Sequence, residues 1–322
     1  MISFKTTIPT SNIGEIRIGG EFGANPTVLI GSMFYTGHKI VEKRSQGTFD
    51  RQRAEILIKN QEELSDQTGI PSMLDIVAVR PNEFEKYIDF ISSVTDMPFA
   101  VDAWQDATKL EAARIIHEMG LQKQSIYNSL SPWSKDIEQE VDQLMNYDLE
   151  NVILVAFNQE DATINGRLSI LNNYLVPYAQ KAGFSNFLVD TSVLNAPSTA
   201  ISLLTGSQIR TQVGLPVGCG PSNGTDPKAW SLPKKQWGKF GFIGVDASIQ
   251  AISALWNDYL LYGPIENAQW VFPAVALAET IKTTFRAEAT NKLPEQNDHP
   301  LNLLFSEFAT QLKKSYKKQS SS

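Results

Sequence analysis

Residues 99–128 read FAVDAWQDATKLEAARIIHEMGLQKQSIYN and contain the pattern that decides the fold. The segment opens with a short apolar run, Phe99–Asp102, and closes with a second one, Ser125–Asn128. Between them, residues 107–119 place apolar side chains at helical spacing and stop at Gly120, the residue type that most often ends a helix. Short, uniformly apolar runs are typical of strands buried on both faces of a parallel sheet. The segment therefore predicts a strand, a helix and a second parallel strand.

The same unit recurs along the chain. Short apolar runs predict eight strands, at residues 27–30, 73–77, 99–102, 125–128, 152–157, 187–190, 215–218 and 259–262. Helical spacing predicts the segments between and after them, at residues 53–68, 82–94, 107–119, 133–147, 168–182, 196–209, 241–256 and 268–286. Eight such units over about 260 residues predict a single (β/α)8 TIM barrel. A doubly wound open sheet is the alternative, but no GxGxxG follows the first strand, which disfavours a dinucleotide site.

The two ends of the chain are expected to lie outside the barrel. Residues 4–20 contain Gly14 and the pair Gly19-Gly20, which predicts a short β-hairpin. We therefore divide the chain into a hairpin at 1–24, a barrel at 25–290, which is expected to hold the ligand site, and a C-terminal helix with a basic, serine-rich tail at 291–322. The run from Leu312 onward is expected to be a solvated chain end. The helix at 133–147 is expected to be capped by Ser131-Pro132, and residues 224–238 are expected to form a loop.

Composition excludes several classes of protein and site. The chain has 322 residues, of which 42% are hydrophobic and 20% charged, so extended disorder and fibrous repeats are excluded. A net charge of -7 disfavours binding to nucleic acid or to an anionic membrane. A single cysteine and three histidines make a bound metal centre unexpected. No apolar run reaches the ~18 to 20 residues of a membrane span, and the N-terminus lacks the pattern of a signal peptide, so we expect a cytoplasmic protein.

Polar residues stand where the predicted strands end, which is where the active sites of such barrels lie. These positions, in chain order, are Asp75, Asp102, Asn128, Asn158, Asp190, Asn223 and Glu266. The set consists of carboxylates and amides, and no Lys, Arg or His falls within the strands themselves. Carboxylates accept hydrogen bonds from adjacent N–H groups, and an amide both donates and accepts. The rim therefore favours a neutral heterocycle rich in donors, such as a pterin, over a phosphate.

Structural roles remain open for some of these residues. An Asp after a buried strand also caps the next helix in many proteins, which applies to Asp102 and Asp190 taken singly. Asp75 lies within its run, where it can serve a structural hydrogen bond, and Glu266 can cap the last helix. We include Gly220 in the expected site, whereas Cys219 beside it is expected to be a small strand-end residue rather than a nucleophile.

Several unusual strings resemble the H subunit of tetrahydromethanopterin S-methyltransferase. The resemblance runs from about residue 14 to about residue 285 and rests on PTVLIGSMFYTGHK at 26–39, KYIDF at 86–90, IYNS at 126–129, LVDT at 188–191, GLPVGCGPSN at 214–223 and LYGPIEN at 261–267. A departure is Gly224, where the family commonly has Ala. The resemblance implies a pterin-binding barrel, a group that includes dihydropteroate synthase and the methyltetrahydrofolate:corrinoid methyltransferases.

The resemblance also implies an activity and roles for residues. The expected reaction moves a methyl group between a corrinoid, free or carried by a corrinoid protein, and N5 of tetrahydrofolate or a related tetrahydropterin. Asp102, Asn128 and Asp190 fall on the pterin-binding positions, and Asn223 falls on the residue that contacts N5. The resemblance further implies a homodimer whose strand-end face stays open for the corrinoid partner. It leaves open whether the pterin is tetrahydrofolate, methyltetrahydrofolate or tetrahydromethanopterin.

Two other functions compete with this one. A dihydropteroate synthase reaction expels pyrophosphate and needs a cationic site near strands seven and eight, but residues 218–224 and 262–267 contain no Lys or Arg. A non-catalytic accessory component of a larger methyltransferase complex is the second alternative. A scaffold has no need of a full set of pterin-binding positions, which favours the enzyme.

Overall fold

The computed structural model describes residues 7–226, 228 and 230–319. Residues 4–6 of the expected hairpin and residues 320–322 of the expected tail lie outside the described residues. The strands are β1 (Thr7–Ile13), β2 (Ile16–Glu21), β3 (Val28–Met33), β4 (Val41–Lys43), β5 (Thr48–Phe49), β6 (Ser72–Val77), β7 (Phe99–Asp102), β8 (Ser125–Leu130), β9 (Asn151–Val155), β10 (Asn186–Asp190), β11 (Val217–Cys219) and β12 (Tyr259–Pro264).

Helices follow or separate these strands. They are α1 (Arg51–Thr68), α2 (Pro81–Val94), α3 (Asp106–Met119), α4 (Ile137–Leu144), α5 (Ile164–Ile170), α6 (Val176–Lys181), α7 (Thr199–Gln208), α8 (Leu232–Lys235), α9 (Gly238–Ala254), α10 (Ala268–Thr290), α11 (Pro300–Leu304) and α12 (Ser306–Gln319). A π-helical turn, Leu171–Leu175, joins α5 to α6, and another, Ile209–Val213, extends α7. Among the described residues, none of these helices has the length and apolar character that a membrane span requires.

The predicted barrel is confirmed. Strands β3, β6, β7, β8, β9, β10, β11 and β12 pair in parallel in that order, and β12 closes on β3. All eight predicted runs fall on these strands. The predicted hairpin is also present, because β1 pairs with β2 in antiparallel orientation.

The hairpin closes one end of the barrel. Ile13 and Ile18 are fully buried and belong to the same apolar cluster as inward-facing residues of the barrel strands. Those residues are Val28, Ile30, Met73, Ala100, Ile126, Ile153, Leu188 and Tyr259. The polar residues at the C-terminal ends of the strands therefore lie at the end opposite the hairpin.

The predicted start of α4 is wrong. The helix begins at Ile137, where Asp136 caps it by accepting a hydrogen bond from the Gln139 backbone N–H at 3.0 Å. The residues before it form a loop because α3 holds them. The Asp106 carboxylate accepts from the Ser134 hydroxyl at 3.0 Å and from the Lys135 backbone N–H at 3.1 Å.

Two further expectations change. The basic run from Leu312 is not a loose chain end up to residue 319, since it forms the second half of α12. Tyr316 in this run is buried, and its hydroxyl donates to Glu288 Oε1 on α10 at 2.7 Å. The segment 224–238, expected to be a loop throughout, contains the one-turn helix α8.

Candidate active site

A cavity of about 650 Å³ opens at the C-terminal ends of the barrel strands. Its size falls in the range that small-molecule sites occupy, about 300–1,000 Å³. Six of the sequence-predicted site residues line it: Asp75, Asp102, Asn128, Asp190, Gly220 and Asn223. They come from five strands or strand ends, and the parallel arrangement brings them to one place.

Asp75 lines the cavity, is buried, and accepts a hydrogen bond at each of its two carboxyl oxygens. Its Oδ2 accepts from the Ser32 hydroxyl at 2.9 Å, and its Oδ1 accepts from Asn128 Nδ2 at 3.2 Å. Burial raises the pKa of Asp75 to about 6, and the two hydrogen bonds limit the rise. Because Asn128 spends an N–H on Asp75, its amide oxygen is oriented and available as an acceptor.

Asp102 ends β7 and pairs in register with Asn128 on β8. Within the described part of the chain, its carboxyl group makes no hydrogen bond. Burial raises the pKa of Asp102 to about 8, with added repulsion from Asp75 and Asp190, while the Lys109 ammonium opposes the rise. An unpartnered carboxyl group beside two others gains stability when a ligand donates hydrogen bonds to it.

Lys109 is the cation that opposes the rise in the pKa of Asp102, and its ammonium group is already hydrogen-bonded to other residues. Its ammonium group donates to Glu140 Oε1 at 2.9 Å and to the Ser129 carbonyl at 2.6 Å. Both Lys109 and Glu140 are buried. Lys109 therefore moderates the charge of Asp102 while its own hydrogen bonds go to the protein.

Asp190 ends β10 on the opposite side of the cavity. Its Oδ1 accepts from the Ser192 backbone N–H at 2.7 Å, and Ser192 adopts a left-handed backbone with φ of 54°. Burial raises the pKa of Asp190 to about 6, against the effects of this hydrogen bond and of Arg167. Arg167 is buried and donates to the carbonyl groups of Thr191 and Ser192, so it fixes the segment that holds Asp190.

Asn223 lies at the rim, in the 3-10 turn that follows β11. Its backbone N–H donates to the Gly220 carbonyl at 3.2 Å, whereas its side-chain amide makes no hydrogen bond to any residue that the structure describes. A Cβ atom at Gly220 would stand 3.3 Å from Asn223 Nδ2, so glycine leaves room for the amide. Both the donor and the acceptor of this amide are therefore free for a ligand.

Two predicted residues lie elsewhere. Asn158 stands three positions beyond β9, and its Oδ1 accepts from the backbone N–H groups of Glu160 and Asp161, which closes a local turn. Glu266 follows β12, where its carboxylate accepts from the Tyr35 hydroxyl at 3.2 Å and lies 3.2 Å from His38 Nε2. The structure brings neither residue into the cavity lining.

Sequence reasoning missed several lining residues. Ser32, Lys109, Trp104 and Trp133 line the cavity with the carboxylates. Trp104 stands two positions after β7, so the same reasoning about strand ends could have identified it. Lys109 lies within α3, away from the strand end, so that reasoning does not identify it. Within the described residues, no three His, Cys, Asp or Glu side chains group in a way that could hold a metal ion.

Comparison with known proteins identifies the family. Residues 9–292 match the family described as the tetrahydromethanopterin S-methyltransferase MtrH subunit. The chain belongs to this family. Curated relatives include the H subunit of tetrahydromethanopterin S-methyltransferase from Methanopyrus kandleri, 32% identical over 91% of this chain and 96% of its own length. The counterpart from Methanocaldococcus jannaschii is 35% identical over 94% of this chain and its full length.

Membership in the MtrH family makes the protein a methyltransferase. Solved structures support the fold. Dihydropteroate synthase of Yersinia pestis, solved with a pterin–sulfa conjugate, aligns with a TM-score of 0.59 over 86% of this chain and 99% of its own, at 13% identity. A dihydropteroate synthetase solved with a product aligns with a TM-score of 0.54, also at 13% identity. At this identity the likeness shows the barrel fold alone.

Proposed function

We propose that the protein moves a methyl group between N5 of a tetrahydropterin and a corrinoid that a partner protein carries. The pterin is tetrahydrofolate or tetrahydromethanopterin. The observation that carries the proposal is the convergence of Asp75, Asp102, Asp190 and Asn128 in one cavity at the strand ends. The names of the MtrH-family relatives, which are tetrahydromethanopterin S-methyltransferases, support the pterin and the methyl group.

The donor and acceptor groups of the cavity suit a pterin ring. The ring presents an amino group and ring N–H groups side by side, together with a carbonyl oxygen. Asp102 and Asp190 supply acceptors for the N–H groups, and Asn128 supplies an oriented amide. Each contact to a charged partner contributes about 1.5–3 kcal/mol. The ring is neutral, so it brings hydrogen-bond donors to the three acids without adding a further negative charge.

Asn223 is proposed to act on N5. Removing the methyl group from N5 is easier when N5 accepts a hydrogen bond or a proton, whereas adding the methyl group needs its lone pair free. A carboxamide serves both states, since it donates in one and accepts in the other. The free amide of Asn223 at the rim supports this role.

The corrinoid is proposed to stay on its partner, because a cavity of about 650 Å³ suits the pterin, and a corrinoid is a much larger macrocycle. When bound, the corrinoid supplies the cobalt that exchanges the methyl group. The residues of this chain hold the ring, aim N5 toward the open face and control its proton. The exposed aromatic side chains of Trp104 and of Phe240 on α9 lend the surface apolar contacts for a partner.

We propose further that the protein is a homodimer in the cytoplasm. Exposed apolar side chains on the outer face of α10, such as Leu277 and Ile281, lie away from the cavity and are suited to self-association. Light scattering at micromolar concentration should give the mass of two chains. A monomer would contradict the proposal.

A dihydropteroate synthase reaction is disfavoured by charge. That reaction releases pyrophosphate and needs free cationic groups. Among the residues that line the cavity in the described chain, the cation is Lys109, whose ammonium already binds Glu140 and Ser129. Four acidic residues, Asp75, Asp102, Asp106 and Asp190, line the same space, which opposes an anion.

Methyl transfer is tested with methylcobalamin as the corrinoid. The absorbance change of the corrinoid is followed with tetrahydrofolate and with tetrahydromethanopterin as acceptors. We expect turnover that is lost in the Asp102→Ala and Asp190→Ala double variant. Pterin binding without turnover, with a corrinoid protein also supplied, would instead favour a non-catalytic accessory role.

A further inference from the structure

Asp246 is a buried acidic residue for which the proposed mechanism has no use. It lies on α9, and its side chain is fully excluded from solvent. Within the part of the chain that the structure describes, no Lys, Arg or His forms an ion pair with it. A carboxyl group that is buried without a cation is costly unless hydrogen bonds satisfy both of its oxygens. The donors around Asp246 therefore indicate what it holds in place.

Neutral donors from two loops meet at this carboxyl group. Its Oδ1 accepts a hydrogen bond from the Thr225 hydroxyl at 2.9 Å. Its Oδ2 accepts from Trp270 Nε1 at 2.7 Å and from Asn267 Nδ2 at 3.5 Å. Thr225 lies in the loop after β11, whereas Asn267 ends the turn after β12 and Trp270 lies in the first turn of α10. Asp246 therefore ties the loop after β11 to α9 and to the start of α10.

Thr225 connects this network to the active-site cavity. It directly follows the 3-10 turn Pro221–Gly224, which carries Asn223. The Thr225 backbone N–H donates to the Ser222 carbonyl at 3.1 Å and closes the turn. Its hydroxyl group has one hydrogen, and Asp246 Oδ1 at 2.9 Å is a nearer acceptor than the Ser222 carbonyl at 3.1 Å. The hydroxyl group therefore fixes the end of the turn to α9.

The turn also packs closely against its neighbours. A Cβ atom at Gly263 on β12 would stand 2.8 Å from Ser222 Cβ, and a Cβ atom at Gly224 would stand 2.5 Å from Ile249 Cδ1 on α9. These glycines let β12 and α9 approach the turn directly. The side-chain amide of Asn223, in contrast, makes no hydrogen bond to the described residues. Its position in the cavity therefore depends on how firmly the backbone of the turn is held.

We infer that Asp246 is a positioning residue for methyl transfer, which acts through the Thr225 hydroxyl to hold Asn223 at N5 of the pterin. The inference rests on the proposed function, because it requires that Asn223 contact N5. A displacement of about 1 Å at a reacting group can cost about a hundredfold in rate. Asp246 lies outside the cavity lining, so it influences the reaction only through the residues that it holds.

The test changes the Thr225 end of the contact, because a substitution of Asp246 would leave three buried donors without their acceptor and endanger folding. Thr225→Val keeps the shape of the side chain and removes the hydroxyl group. With methylcobalamin as methyl donor and tetrahydrofolate or tetrahydromethanopterin as acceptor, we expect kcat of the whole protein to fall about tenfold, with little change in KM for the pterin. Thr225→Ser restores the hydroxyl group and should recover most of the rate.

Thr205→Val is the matched control for the loss of a buried hydroxyl group. The Thr205 side chain is also buried, and its hydroxyl donates to the Ile201 carbonyl within α7 at 2.8 Å. Thr205 does not line the cavity, so the control should keep the kcat of the wild type. A wild-type kcat in Thr225→Val, a rise in KM alone, or equal losses of kcat in Thr225→Val and Thr205→Val would each overturn the inference.

A double-variant cycle with Asn223→Ala connects the effect to Asn223. If Thr225 acts through Asn223, adding Thr225→Val to Asn223→Ala should lower kcat by no more than about twofold further. A full further loss of about tenfold would show that Thr225 acts by another route, and would overturn the inference while the role of Asn223 stood. A wild-type kcat in Asn223→Ala would instead overturn the proposed role of Asn223 and the inference with it. Absence of methyl transfer in the wild type would overturn the proposed function itself.

Discussion

Asn128 Nδ2 donates a hydrogen bond to Asp75 Oδ1 at 3.2 Å, across two strands of the barrel that are not neighbours. The strand between them is β7, which carries Asp102. The hydrogen bond places the NH₂ group of the Asn128 amide against Asp75 and leaves the amide oxygen as an acceptor for a ligand. The strand-end residues therefore form one connected set rather than a series of separate helix caps.

Removal of this contact should change Asp75. In Asn128→Ala, we expect the pKa of Asp75 to rise above about 6, because the carboxylate loses a donor and remains buried. A titration followed by the carboxyl carbon resonance measures it. Ser32→Ala removes the other donor and should shift the pKa in the same direction. An unchanged pKa in both variants would show that neither hydrogen bond stabilises the ionised form.

Asp102 should make ring binding depend on pH. Its pKa of about 8 means that the acid is mostly protonated at pH 7, whereas a ring N–H prefers the ionised form as acceptor. The affinity for a tetrahydropterin should therefore increase about tenfold between pH 7 and pH 9. Calorimetry across this range measures it, and Asp102→Asn should abolish the dependence. A wild-type affinity that stays constant would contradict the proposed contact.

The same residue should lower stability at high pH. Burial places the pKa of Asp102 in the folded protein at about 8, above the ordinary value of 3.8 that applies when the chain unfolds. Between these values the folded state binds more protons than the unfolded state, so the contribution of Asp102 to the free energy of unfolding falls as pH rises. The stabilisation by Asp102→Asn should therefore be larger at pH 8 than at pH 5, by about 3–4 kcal/mol from this linkage. Urea denaturation measures both, with the exposed Asp66→Asn on α1 as the control.

The barrel and most of the pocket could be predicted from sequence for a physical reason. Parallel strands buried on both faces are short and apolar, so they can be recognised in the sequence. In a barrel their C-terminal ends lie at the same end, which brings Asp102, Asn128 and Asp190 into one cavity. Asn158 fails the same argument because β9 ends at Val155 and the chain then turns locally.

The remaining features depend on contacts between distant residues. The Ser32 partner of Asp75 and the Lys109 counterion of Asp102 come from positions that no spacing rule relates to the strand ends. The late start of α4 depends on Asp106, a residue of the preceding helix. Helical periodicity predicted Trp133 within this helix, whereas Trp133 lies in the preceding loop and lines the cavity.

Breaking the buried ion pair between Lys109 and Glu140 should lower the stability of the protein substantially. Lys109→Met leaves the buried Glu140 without its cation, which should lower the free energy of unfolding by about 3–5 kcal/mol. Lys59→Met breaks the exposed pair with Glu55 and should cost much less, because solvent screens both charges. Adding Glu140→Gln to Lys109→Met should recover part of the loss. Equal costs for the buried and exposed pairs would contradict this account.

The same variant has a functional consequence. Lys109 lowers the pKa of Asp102 by its charge, so Lys109→Met should move that pKa above about 8. The pH at which ring affinity rises should move upward with it. Calorimetry under conditions where the variant remains folded separates this effect from the loss of stability.

Asn223 should affect turnover rather than binding. Contacts that hold the ring are made equally in the ground and transition states, so their loss raises KM, whereas a contact to N5 changes as the N–CH₃ bond forms or breaks. Asn223→Ala should therefore lower kcat by about tenfold to a few hundredfold with little change in KM. Asn158→Ala is the matched control, since Asn158 lies outside the cavity lining.

Asn223→Asp separates the roles of donor and acceptor. The substitution preserves size but removes the N–H donor whenever the new carboxyl group is ionised, so in the direction that removes the methyl group from N5 its activity should recover as pH falls. The measurement is kcat and KM against pH for the wild type and both Asn223 variants, with methyltetrahydropterin as donor and reduced cobalamin as acceptor. If Asn223→Ala keeps the wild-type kcat and raises only KM, Asn223 merely anchors the ring, and Asp75 acting through a water becomes the candidate for controlling the N5 proton.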